Sequence, residues 1–187
     1  GRNREGSMIQ LEELSPLYGL KLDEISAFMK DEVKISSTKI RKALVRGDVK
    51  EAKKYLGDSF TISGKVVDGD KIGSKIDFPT ANIEVVEDYK LIPANGVYAV
   101  LINVGDIEYK GMLNIGVRPT VNKSDEKRIE VNIFDFNADI YGTEIEVSFI
   151  DRVRSEKYFN GLNELKLQLL EDEKHCRNIL SSITLVS

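Results

Sequence analysis

Between residues 59 and 152 the chain carries short runs rich in β-branched and aromatic residues: Ser59–Val67, Thr80–Val85, Gly96–Val104, Glu108–Ile115, Arg128–Phe136 and Glu144–Arg152. Gly, Asn, Asp and Pro separate them, and no long helical pattern intervenes. Several runs alternate, with Val97, Ala99, Leu101 and Asn103 set against Tyr98, Val100 and Ile102. Strands so short and so regularly spaced, without helical crossovers, predict an antiparallel sandwich or barrel.

The flanks read differently. After Arg152, Leu162, Leu165, Leu169, Cys176 and Leu180 fall mostly along one stripe of a helix that Asn160 or a neighbour would cap. Glu171, Asp172, Glu173 and Lys174 are assigned to its solvated face. Residues 1–57 read as mixed α/β, with a short helix expected within Met8–Tyr18 and a strand at Lys21–Ile25. Ser37 suits the cap of a helix stopped by Gly47, and Asp48 that of a second helix stopped by Gly57.

At 187 residues the chain has room for one domain with a fragment, or for two small domains. A net charge of −4 and a pI near 5.3 argue against a nucleic-acid binder that relies on a basic face. Cys176 is the only cysteine, so no internal disulfide forms, and a cytoplasmic location is expected. No apolar run of eighteen residues is present, so no membrane span is expected. His175 and Cys176 point apart on a helix and make no metal pair.

Chemistry gathers at Gly69 to Asn82. Gly69 and Gly73 bracket a polar loop containing Ser74 and Lys75, and Pro79 biases the chain to leave it extended. Thr80 and Asn82 then share one face, opposite Ala81. Two short neutral oxygen donors suit Mg²⁺ that arrives already on phosphates, keeping waters and taking one or two protein ligands. The same residues also suit a plain Gly/Pro turn with two hydrogen-bonding side chains. Neither the P-loop pattern G-x-x-x-x-G-K-[ST] nor a protein-kinase signature occurs.

This stretch resembles the Gly-rich loop and Pro-Thr-Ala-Asn motif of riboflavin kinases, which phosphorylate riboflavin to FMN. Further matches follow in order: Leu91–Tyr98, Asn114–Thr120, Glu130 before Phe134-Asp135-Phe136, Asp139–Gly142, and Arg154 with Glu156 and Phe159. Ser74, Ile76 and Asp77 depart from the Arg, Leu and Gly more usual in the bacterial family. The resemblance covers roughly residues 58–180 and implies a mainly β fold: a six-stranded antiparallel Greek-key barrel with a C-terminal helix. A short α/β segment precedes it. Ile35–Arg41 and the residues upstream resemble the end of the FMN adenylyltransferase domain of bifunctional enzymes. Residues 1–57 are therefore expected to be a remnant of that domain with a linker, and 58–187 the kinase domain. Adenylyltransferases of that kind need a His-x-Gly-His motif, whereas this chain has His175 alone. Adenylyl transfer is expected to be absent.

The resemblance also implies roles. ATP is expected at Gly69, Gly73, Ser74, Lys75, Thr80 and Asn82, with Mg²⁺ on Thr80 and Asn82. Glu130 is the expected base for the riboflavin 5′-hydroxyl, and Arg154 is expected to order a loop or stabilise phosphate charge. Alternation alone would leave Glu130 on an outward face as ordinary surface, and Arg154 with Glu156 suits a surface ion pair. The Asp135–Gly142 region, the Arg154–Phe159 loop and the C-terminal helix are expected to form the flavin slot, with contacts from Asp135, Tyr141 and Phe159. Riboflavin and ATP are thus the expected partners of a monomer, with no nucleic acid and no membrane. A non-catalytic barrel that binds a flavin or an oligonucleotide is the alternative.

Overall fold

The computed structural model describes residues 14–19, 29–30, 33–34, 36–69, 78–87, 89–118 and 126–185; at 29–30, 33–34, 118 and 126 only the backbone is described. The chain divides into two compact units, Gly1–Ile35 and Ser36–Ser187. In the first, Ser15–Tyr18 forms a 3-10 turn, and β1 (Met29–Lys30) pairs antiparallel with β2 (Val33–Lys34). The rest of the helix expected over Met8–Tyr18, and the strand expected at Lys21–Ile25, lie outside the described residues.

The second unit opens with two helices, α1 (Ser37–Arg46) and α2 (Val49–Leu56). The cap of α1 is Ser36, one residue earlier than expected. Its hydroxyl accepts from the Lys39 amide at 3.4 Å while Ser37 enters the first turn. Asp48 caps α2 by accepting from the Glu51 amide at 2.9 Å. Gly47 ends α1 with φ 77°, and a Cβ there would meet the Arg152 side chain and the Tyr98 hydroxyl, so only glycine fits.

Six strands follow: β3 (Phe60–Val67), β4 (Ala81–Val85), β5 (Gly96–Val104), β6 (Ile107–Arg118), β7 (Glu126–Ile133) and β8 (Glu144–Arg154). They close an antiparallel barrel in the order β3-β4-β7-β6-β5-β8, with β8 returning to β3. Inward residues alternate along each strand, and Ile62, Val66, Tyr98, Val100, Ile102, Leu113, Val131, Val147 and Phe149 are all 1% exposed or less. Ala43 and Leu44 of α1 and Val49 and Ala52 of α2 join this core, so the helix pair belongs to the barrel's own compact unit. The Ala94 amide donates to the Leu44 carbonyl at 3.0 Å. Arg152 donates to the Arg46 and Asn95 carbonyls, fastening the pair to the barrel.

Helix α3 (Leu162–Leu180) packs outside the barrel against β5, β6 and β8. Its N-cap is Gly161 without a side-chain bond; instead the Glu164 carboxylate accepts from the Asn160 amide at 3.1 Å. Beneath α3 lies a second core of Phe78, Ala99, Met112, Phe134, Cys176 and Leu180. Two register slips between β5 and β8 insert Val153 and Ile150 as extra residues, and both turn toward this outer core. Asp172 is not on the solvated face of α3. It is fully buried, because Arg154 meets it from β8.

Candidate active site

The pairing registers align one row of residues across the barrel: Asn82 opposite Glu130, Glu130 opposite Asn114, Asn114 opposite Val97, and Val97 opposite Arg154. Directly paired residues share a face, so the row lies on the barrel's outside, beneath α3 and the adjoining loops. The slip at Val153 matters here. Arg152 lies opposite Tyr98 while Arg154 lies opposite Val97, so the two arginines serve opposite sides of the sheet rather than one.

The Pro79–Asn82 segment is held from three directions. Phe78 is 5% exposed in the outer core, a burial worth about 2 kcal/mol. The Asn132 side-chain amide donates to the Pro79 carbonyl at 2.7 Å. Ala81 and Asn82 then pair with Val131 and Glu130, sending Ala81 toward the interior. Gly69 lies close against Asn82, and a Cβ there would collide with the Asn82 amide. Gly73, Ser74 and Lys75 fall outside the described residues.

Two hollows flank this segment. The first, about 300 Å³, has apolar walls from Phe78, Val97, Met112, Phe159, Leu165 and Leu169, with Thr80, Asn114, Arg128, Glu130, Asn132, Arg154, Glu156 and Lys157 as its polar groups. The second, about 350 Å³, is lined by Val66, Pro79, Thr80, Ala81, Val131, Phe136 and the 137–141 turn including Tyr141. Thr80 lines both. The flavin slot expected from the sequence is thus divided. Phe159 and α3 line the first hollow, Tyr141 lines the second, and Asp135 lines neither. Asp135 takes φ 56° at the end of β7 and accepts both arms of Arg177 at 2.9 and 3.1 Å. That guanidinium lies 4.4 Å from the Phe134 ring centroid and holds the Asp135 carboxyl below its usual range.

Electrostatics concentrate at three side chains. Arg128 Nε lies 2.7 Å from Glu130 Oε1 and 2.8 Å from Asn82 Oδ1. Arg154 is clamped by Asp172, not by Glu156 as the surface-pair reading had it. Glu156 instead accepts from the Asn95 side chain at 3.0 Å and the Val117 amide at 3.4 Å, tying the loop after β8 across the strand ends. The Arg154 guanidinium also lies 5.7 Å from the Phe159 ring centroid. Arg128, Asn132 and Asp172 carry no motif signal of their own. For Arg128 and Asn132 the same-face spacing with Glu130 was the available clue.

Among the described residues no three His, Cys, Asp or Glu side chains gather into a metal site. Thr80 and Asn82 carry neutral hard oxygens of the kind Mg²⁺ takes, and Asn82 Oδ1 already accepts from Arg128 Nε at 2.8 Å.

The comparisons with known proteins agree with the barrel fold. The family model described as Flavokinase: Riboflavin kinase matches residues 56–180. A bifunctional riboflavin kinase/FMN adenylyltransferase of Buchnera aphidicola subsp. Schizaphis graminum is 41% identical over 175 residues, covering 92% of this chain and 55% of that protein. The protein of the same name from Bacillus subtilis is 40% identical over 161 residues, covering 85% and 51%. The crystal structure of a macrolide-efflux protein from Streptococcus pneumoniae superposes with a TM-score of 0.79 at 39% identity, over 89% of this chain and 54% of that one. The chain spans about half the length of the curated relatives it matches. With the family match over most of its length and relatives near 40% identity, the chain belongs to the riboflavin kinase family.

Proposed function

We propose that this chain is a riboflavin kinase that transfers the γ-phosphoryl group of ATP to the 5′-hydroxyl of riboflavin, giving FMN and ADP. The observation that carries this reading is Glu130 in an apolar-walled hollow, with Thr80 forming the partition to a second hollow. Phosphoryl transfer needs two substrates held in line and charge neutralised, with little covalent work by the protein. The first hollow suits the isoalloxazine, with Met112, Phe159, Leu165 and Leu169 as its walls. The second suits the nucleotide, with Tyr141 and Phe136 on its rim. The two then meet at Thr80.

In this reading the riboflavin 5′-oxygen attacks the γ-phosphorus and its proton passes to the Glu130 carboxylate. The new O–P bond forms as the β–γ bridging O–P bond breaks and ADP leaves. Glu130 receives the proton late, once bond formation has made the alcohol acidic. Arg154 directs positive charge toward the transferring group, with Asp172 fixing its orientation. Thr80 and Asn82 would hold Mg²⁺, which when bound neutralises phosphate charge and orients the γ-phosphate. Residues 1–57 fit the end of an adenylyltransferase segment plus linker. A cytoplasmic site of action and a monomeric state complete the proposal.

The test is incubation with riboflavin, ATP and Mg²⁺ followed by chromatographic separation of the flavins, with Glu130→Gln in parallel. FMN from the parent and not from the variant, with riboflavin binding intact in both, is the expected result. A folded parent that binds riboflavin and makes no FMN would return the chain to the non-catalytic alternative.

A further inference from the structure

We propose that Arg128 is a positioning residue that competes with the metal–nucleotide for Asn82 and thereby couples nucleotide arrival to Glu130. The inference rests on the reading above, in which Asn82 takes the metal and Glu130 takes the proton.

The geometry is specific. Arg128 stands two residues before Glu130 on β7, so both side chains leave the same face of the strand. Its partner on β6 is Gly116, which brings no side chain of its own, and the Glu156 carboxylate fills the place a Cβ there would take. From there Nε lies 2.7 Å from Glu130 Oε1 and 2.8 Å from Asn82 Oδ1. The Nε–H donates to Asn82 Oδ1 while the Glu130 carboxylate stands beside the same nitrogen as its ion-pair partner, so one nitrogen serves both. Whatever takes one acceptor changes the hold on the other.

Asn82 Oδ1 is also the oxygen a hard dication would take. A guanidinium and a dication on one carboxamide oxygen repel strongly, so they exclude each other. Metal–nucleotide binding therefore moves Arg128 off Asn82 and leaves its N–H to Glu130, or frees it to meet phosphate. Arg128 thus holds Asn82 and Glu130 together before the nucleotide comes and releases that tie when it arrives. Its removal has an unusual signature: the nucleotide binds more tightly while turnover falls.

The experiment titrates the full chain with Mn²⁺·ADP, counting free Mn²⁺ by electron paramagnetic resonance. It compares the parent, Arg128→Gln, Asn82→Ala and the double variant, with folding checked by circular dichroism. Arg128→Gln is expected to bind Mn²⁺·ADP about fivefold more tightly, the worth of one released hydrogen bond. In the Asn82→Ala background the same change should have no effect. In kinetics Arg128→Gln lowers the KM for Mg²⁺·ATP and lowers kcat, and Arg128→Lys restores part of both. If Asn82→Ala weakens Mn²⁺·ADP but Arg128→Gln leaves it unchanged or weaker, the competition is overturned and the metal role of Asn82 stands. If Asn82→Ala changes nothing, the metal reading falls and this inference falls with it.

Discussion

Arg154 and Asp172 form a two-armed ion pair, with Nε 2.9 and 3.0 Å from the two carboxylate oxygens and Nη2 2.7 Å from Oδ2. The Asp172 side chain is 1% exposed and that of Arg154 is 20% exposed. Gln168 adds a third donor to the carboxylate at 3.1 Å. Enclosing a carboxylate costs more than a surface pair returns, so the arrangement is better understood as fixing direction than as adding stability. Asp172→Asn should lower stability by about 3 kcal/mol, since it leaves a half-buried cation without its counter-charge. The joint change Arg154→Met with Asp172→Leu should keep a melting temperature near the parent's while FMN formation collapses. Thermal denaturation and the flavin assay on the same samples check both.

Glu130→Gln keeps shape and removes the proton acceptor. FMN formation should fall by roughly 10²- to 10⁴-fold, with riboflavin affinity little changed. Single-turnover kinetics with fluorescence-detected riboflavin binding separate the two effects.

Gly69→Ala places a methyl group against the Asn82 amide. The Asn82 carboxamide must turn away, so the KM for Mg²⁺·ATP should rise severalfold while riboflavin binding holds. Isothermal titration with each substrate alone gives the comparison.

Burial beneath α3 pushes the Cys176 thiol up to about 12, with the nearby Asp172 and Glu173 carboxylates adding to the effect. The thiolate is therefore scarce at pH 8, and the sulfur is enclosed as well. A disulfide reagent should react slowly with the native chain and at the rate of a simple thiol in urea. Riboflavin should slow the native reaction further, because Leu165 and Leu169 of the same helix line the first hollow.

FMN with ATP and Mg²⁺ should yield no FAD, because the chain has one histidine, His175, where the adenylyltransferase motif needs two. Chromatography after long incubation decides this, and an FAD peak would overturn it.

Much of the barrel can be read from the residues because turn chemistry punctuates it. All six β-rich runs are strands, shifted only at their ends. β7 stops at Ile133 rather than Phe136, because Phe134 and Asp135 form a turn. Local capping also survives, within one residue at Ser36. What local patterns cannot carry is the partner across the fold. Asp172 sits in a polar run that reads as solvated, and its burial depends on Arg154, which meets it from a strand far away along the chain. Glu130 alternates like a surface residue, yet the outer face of this barrel is covered by α3 and its loop. The division of the residues expected to form a flavin slot is likewise a product of chain path. Phe134 and Asp135 turn Tyr141 to the far side of Thr80, where spacing along the chain gives no sign of it.

The row running from Asn82 through Glu130 and Asn114 to Arg154 has one more consequence. Side chains alternate with every residue, so a slip of one position in any of these strands would send its member of the row into the barrel. A misthreaded chain would not be a slower version of this molecule; it would lack the arrangement altogether. Recovery of function after refolding is therefore a measure of threading fidelity, and it reports errors to which total β content is blind.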